Sequence, residues 1–185
     1  MVYILLGAGF EEAEALVTAD VLRRADIPVA LAGIGGGTIT GSHGIAVQAD
    51  VSVEAVSLAA GDMVVLPGGM GGVASIEGSG AAMALARRAR EDETMWLAAI
   101  CAAPTLLARA GLLGAGVHAV CYPGMEGELS EAGAVPVMGQ SVVAEGRLIT
   151  GRGPGAAFDF GLALVEALAG ADAAGQVRAG LHYRA

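Results

Sequence analysis

The stretch Met95-Trp96-Leu97-Ala98-Ala99-Ile100-Cys101-Ala102-Ala103-Pro104-Thr105-Leu106-Leu107-Ala108 decides the fold. The apolar run before the cysteine reads as a buried strand. The small-residue run after it reads as a helix with Pro104 in its first turn, where a missing N–H costs nothing. Cys101 therefore falls on a tight strand-to-helix turn. Backbone amides at a helix N-terminus favour an anion, so the thiol is expected to ionise at lower pH than a free cysteine. The competing reading is a cysteine packed as a small apolar side chain. The rest of the chain decides between the two.

Outward from that stretch, strands and helices alternate. Val2–Leu6, Ile27–Ala32, Met63–Leu66, Trp96–Ile100 and Val117–Cys121 read as strands. Glu11–Arg24, Gly80–Arg90, Pro104–Ala110, Ala156–Leu168 and Ala173–Ala179 read as helices, and Ser141–Ala144 with Leu148–Thr150 as a hairpin. This alternation predicts an α/β fold, a doubly wound and mostly parallel sheet with helices on both faces. The glycine-rich Gly33–Gly41 segment imitates a dinucleotide fingerprint, but Thr38-Ile39-Thr40 continues as strand rather than helix, which argues against a nucleotide there.

The 185 residues form one expected domain spanning 1–185, with enough apolar content (55 %) for a substantial core. A net charge of −9 argues against nucleic-acid binding. No apolar run is long enough for a membrane span, and the first residues read as strand rather than signal peptide. Two cysteines make no disulfide framework, which suits a cytoplasmic setting. All ten basic residues are arginine; without lysine there is no P-loop, no Schiff base and no lysine general base. The histidines His43, His118 and His182 show no spacing that suggests a metal site.

In a doubly wound sheet, ligands sit beyond the carboxyl ends of the strands. The unusual loops gather there: Gly7-Ala8-Gly9-Phe10-Glu11-Glu12-Ala13-Glu14, Pro67-Gly68-Gly69-Met70-Gly71-Gly72, Cys101-Ala102-Ala103-Pro104, Tyr122-Pro123-Gly124 and Gly151-Arg152-Gly153-Pro154-Gly155. A glycine-rich loop beside a helix-capped cysteine offers free N–H donors to a developing oxyanion.

Five segments carry a resemblance: Glu11-Glu12-Ala13-Glu14, Leu66-Pro67-Gly68-Gly69, Ala98-Ala99-Ile100-Cys101-Ala102-Ala103-Pro104, Arg152-Gly153-Pro154-Gly155 and Val165-Glu166-Ala167-Leu168. They resemble the ThiJ/PfpI superfamily, in particular the branch of the human parkinsonism-associated protein deglycase, over essentially the whole chain. The resemblance implies a flavodoxin-like fold, a homodimer and a nucleophile-elbow cysteine. Carried over, Cys101 becomes the nucleophile and oxidation-sensitive thiol, Glu14 its carboxyl partner, and Gly69 and Ala102 the backbone donors. Arg24 and Arg152 match positions near the dimer interface and the site entrance. Burial would keep Glu14 protonated, able to bond a thiolate and to shuttle a proton. Glu11 and Glu12 read more simply as charges favouring a helix N-terminus.

Two positions depart from the pattern. Tyr122 stands where that branch has a histidine, and Ala102 where the superfamily's peptidases have one, so no Cys–His dyad and no peptidase activity is expected. His43 is a candidate pocket residue from another loop. Cys121 points away from Tyr122 on an expected strand and reads as a packed thiol. Three functions stay open. One is a cofactor-free glyoxalase or deglycase acting on reactive aldehydes such as methylglyoxal, which the resemblance implies. The second is a redox sensor whose cysteine becomes a sulfinate, and the third a chaperone-like dimer.

Overall fold

The computed structural model describes residues 1–184. In chain order it has β1 (Val2–Leu6), α1 (Glu12–Arg24), β2 (Val29–Gly33), β3 (Thr38–Thr40), β4 (Ala46–Gln48), β5 (Val51–Ser52), β6 (Met63–Leu66), α2 (Met70–Gly78), α3 (Gly80–Glu91) and β7 (Trp96–Ile100). It continues with α4 (Ala103–Arg109), β8 (His118–Ala119), α5 (Glu126–Glu131), β9 (Val135–Pro136), β10 (Val142–Glu145), β11 (Leu148–Gly151), α6 (Ala157–Ala169) and α7 (Ala171–Gly180).

Seven strands form the central sheet in the order β10-β11-β7-β6-β1-β2-β5. All neighbours are parallel except β10 and β11. Side chains alternate between the faces of each strand, so adjacent residues feed different cores. Leu5, Val64, Leu66, Leu97 and Ala99 pack beneath α2, α3 and α4. Ile4, Met63, Val65, Ala98 and Ile100 pack against α1 and α6 through Leu22, Phe160 and Val165. Between β1 and β6 the chain reverses its direction of growth across the sheet, and that switch point opens a crevice at the carboxyl ends of β1, β6 and β7. Among the described residues no helix is long and apolar enough to cross a membrane.

The sequence-based elements hold, some with shifted ends, with three corrections. The expected strand Val117–Cys121 shrinks to His118–Ala119, which pairs with β9 in a separate small sheet. Its later backbone donors are drawn elsewhere: Val120 N–H donates to Thr150 Oγ1 at 3.0 Å and Tyr122 N–H to the Cys101 carbonyl at 2.8 Å. The glycine-rich segment after β6, read as loop, forms α2. A Cβ at Gly72 would lie 2.6 Å from Phe10 Cα, so the glycine allows close helix packing there. Glu11, expected inside the first helix, is its extended N-cap instead.

Candidate active site

Cys101 leaves β7 with φ +66°, a left-handed conformation that a non-glycine residue adopts at a cost of about 1–3 kcal/mol. Two backbone hydrogen bonds hold it: its N–H donates to the Gly151 carbonyl at 2.9 Å and its carbonyl accepts from Tyr122 N–H at 2.8 Å. The side chain is buried but reaches the wall of a cavity of about 680 Å³.

Glu14 comes from α1 and is 1 % exposed. Its Oε2 accepts from Gly68 N–H at 2.6 Å, and its buried Oε1 has no hydrogen-bond partner among the described residues. Gly68 is what lets the two functional groups converge. A Cβ there would lie 2.6 Å from both Cys101 Cβ and Glu14 Oε2 and 3.0 Å from Cys101 Sγ. Gly69 has φ +82° and turns the chain tightly over Gly9 and Glu11.

Burial pushes the Glu14 carboxyl up to about 7, against the pull of the Cys101 thiol and the Gly68 amide. Burial, then the Glu14 charge beside it, pushes the Cys101 thiol up to about 12, while the N–H groups of Ala102 and Gly69 pull it down. The sequence expectation of an acidified thiol is thereby corrected. Desolvation and a neighbouring carboxylate outweigh the helix-end amides. Between these two values the pair carries a single shared proton. Moving that proton to Glu14 leaves a thiolate facing two amide donors, at no change in net charge.

His43 stands on the turn between β3 and β4 and lines the same cavity, as do Gly69, Ala102 and Tyr122. Met70, Pro123, Met125 and Pro154 make that cavity's wall largely apolar. Arg152 does not line it. It lines an adjoining hollow of about 290 Å³ that shares Tyr122, Pro123 and Pro154. The Tyr122 ring is the partition between the two, and a Cβ at Gly153 would lie 3.3 Å from its Cδ2.

Glu12 was legible only as a helix-end charge, and the structure gives it more to do. Its carboxylate is buried and accepts from His43 N–H at 2.8 Å, Ile45 N–H at 3.3 Å and Ser42 Oγ at 3.1 Å. Burial works to raise it, but the hydrogen bonds from the His43 side chain and from backbone amides win and hold it at about 2. Gly41 fits because any Cβ would overlap that carboxyl. Polar atoms of Glu11, Glu12 and His43 lie within 4.8 Å of one another, a grouping invisible to histidine spacing. Both Glu12 oxygens are already engaged as acceptors, so the group is a hydrogen-bonded staple rather than an open ligand set. Neither this staple nor the role of Gly68 has a local signal, since both join segments far apart in sequence.

Residues 1–167 match the DJ-1/PfpI family. The chain is 40 % identical over 179 residues to protein dj-1beta of Drosophila melanogaster, covering 96 % of this chain and 94 % of that protein. It is 32 % identical over 160 residues to the glutathione-independent glyoxalase DJR-1.2 of Caenorhabditis elegans, covering 86 % of this chain and 83 % of that one. The crystal structure of Drosophila melanogaster DJ-1beta matches it with a TM-score of 0.91 at 37 % identity, over 100 % of this chain and 98 % of the other. With a family match across most of its length and a relative of that identity over nearly all of it, the chain belongs to the DJ-1/PfpI family.

Proposed function

We propose that this protein is a cysteine-dependent, cofactor-free glyoxalase or deglycase that converts reactive α-oxoaldehydes such as methylglyoxal into hydroxy acids. The observation that carries this reading is the strained Cys101 beside the buried, proton-sharing Glu14 at the floor of a cavity. Its relation to a glutathione-independent glyoxalase supports it. Cys101 Sγ would bond the aldehyde carbon C1, whose oxygen takes the proton that the thiol gives up while the Gly69 and Ala102 amides steady the developing charge. Ionised Glu14 would remove the C1 hydrogen as a proton and return it to C2, while the C2 oxygen gains a proton and the C1 hydroxyl gives one up. C1 is thereby oxidised to a thioester and C2 reduced to an alcohol. Water then releases the hydroxy acid and the thiol. One substrate carbon reduces its neighbour, so the chemistry calls for no redox cofactor.

A homodimer and a small carbonyl substrate are part of this reading. The second reading, a redox protein, draws on Glu14, whose buried Oε1 has no hydrogen-bond partner among the described residues: the protonated carboxyl could bond a sulfinate formed at Cys101. The test is lactate formation from methylglyoxal without glutathione. The parent should turn over, and Cys101→Ser and Glu14→Gln should abolish it. A parent that makes no lactate but accumulates sulfinate at Cys101 under peroxide would favour the second reading.

A further inference from the structure

The cavity beside Cys101 contains an imidazole that the steps above leave unused. His43 reaches it from the β3–β4 turn, and its Nδ1 lies 3.0 Å from Glu12 Oε2. Glu12, buried and ionised far into the acid range, can only accept a hydrogen bond. Nδ1 therefore carries a proton, and Nε2 is the nitrogen left for the cavity and the solvent. The side chain is 68 % exposed, so a proton lost at Nε2 is replaced from water. The groups facing the ring are Glu12, Glu11 with Oε2 at 3.6 Å, and Ser42 with Oγ at 3.0 Å, while Cys101 and Tyr122 stand on other parts of the cavity wall. The Glu12 hydrogen bond, then the charges of Glu11 and Glu12, raise His43 above the usual imidazole value.

We propose that His43, held by Glu12, is a second proton-transfer group of this site, donating to the C2 oxygen of the α-oxoaldehyde adduct. The inference rests on the glyoxalase reading above. As ionised Glu14 takes the C1 proton, the freed electron pair forms the C1–C2 double bond and pushes the C2 carbonyl pair onto oxygen. Imidazolium Nε2 supplies the proton that oxygen needs, and the enediol results without an external reductant or oxidant. Solvent then reprotonates the ring. Glu12 is a positioning residue: it fixes the tautomer and keeps the ring cationic to higher pH. A cation suits this task better than a phenol, which leaves Tyr122 as wall.

The experiment is the pH profile of lactate formation for the parent, His43→Gln and Glu12→Gln, with the histidine resonances of the parent and Glu12→Gln titrated by NMR. The parent should give a bell whose acid limb belongs to Glu14 and whose alkaline limb belongs to His43. His43→Gln should lose about 100-fold in kcat, the lower end of the range of a general acid, and lose that alkaline limb. Glu12→Gln should move the limb, and the His43 resonance, to lower pH. Should Glu12→Gln loosen the turn, His43→Gln still decides, because an exposed ring can be replaced without disturbing the core. An active parent whose His43→Gln variant keeps full rate and the alkaline limb overturns the proposal alone. A parent making no lactate overturns the glyoxalase reading and this proposal with it.

Discussion

Gly68 N–H donates to Glu14 Oε2 at 2.6 Å across 54 positions of sequence, and this bond joins the β6 loop to α1 directly beneath Cys101. It does two things. It gives a buried carboxyl one partner, and it brings Gly68 so close that no side chain fits between Glu14 and the sulfur.

Gly68→Ala should therefore damage the site more than the fold. The Cβ lands 2.6 Å from Cys101 Cβ and Glu14 Oε2, and overpacking of this kind costs about 1–3 kcal/mol. We expect at least a tenfold loss of lactate formation with the far-ultraviolet circular dichroism unchanged. Gly175→Ala, in α7 with open space around its added methyl, should keep full activity and melt slightly higher. Equal activity in the two variants would show that the Glu14–Cys101 approach is not limiting.

The fold was readable in the chain because its signals are local. The apolar runs Met63–Leu66 and Trp96–Ile100 fall on their strands without adjustment. What was missed depends on distant partners. The helix α2 hides behind Met70-Gly71-Gly72, where Gly71 closes on Ala8 and Gly9 and Gly72 on Phe10, contacts that helix propensity does not reveal. The strand expected through Cys121 ends early because Thr150 and Cys101 capture its donors. At the site, Cys101 and Glu14 were legible from the family pattern. The direction of the thiol shift was not, because desolvation is a property of the packed fold and leaves no mark on the residues around a cysteine.

That shift changes the ground for thiol selectivity. Cys121 is also pushed up, to about 11, by burial and then by Glu126 and Glu128. Ionisation thus does not single out Cys101, but access does, since Cys101 lines the cavity and Cys121 is 2 % exposed. Limiting iodoacetamide at neutral pH should label Cys101 first, as read by peptide mass spectrometry. Glu14→Gln, which removes the charge opposing the thiolate, should speed that labelling several-fold. Slower labelling in this variant would mean that Glu14 activates the thiol mainly by taking its proton.

The two buried carboxyls of α1 should tilt stability in opposite directions with pH. Glu12 is lowered to about 2, so its ionised form stabilises the fold above the ordinary value of 4.5, and that contribution fades as pH falls toward 2. Glu14 is raised to about 7, so its protonated form is the favoured one in the fold. Its contribution is complete below 4.5 and is lost as pH rises through 7. Thermal melts should show Glu14→Gln gaining on the parent between pH 4.5 and 7, and Glu12→Gln losing least against it near pH 2. A Glu14→Gln difference that stays constant across its window would mean that the carboxyl titrates normally in the folded protein.

Tyr122 tests the division of labour at the site. Its ring separates the cavity of Cys101 from the hollow of Arg152 and is about half-exposed, at 48 %. A phenol is a poor proton acceptor at neutral pH, so the hydroxyl at most orients a bound carbonyl. Tyr122→Phe keeps the partition and should retain at least a tenth of the parent turnover, a barrier change under about 1.4 kcal/mol. Tyr122→Ala merges the two hollows, and its effect should fall mainly on KM because the wall rather than the chemistry is lost. Steady-state kinetics with methylglyoxal separates these outcomes. A Tyr122→Phe variant as inactive as Cys101→Ser would make the hydroxyl a reacting group, and proton transfer would then have to be reassigned from the carboxyl and imidazole to the phenol.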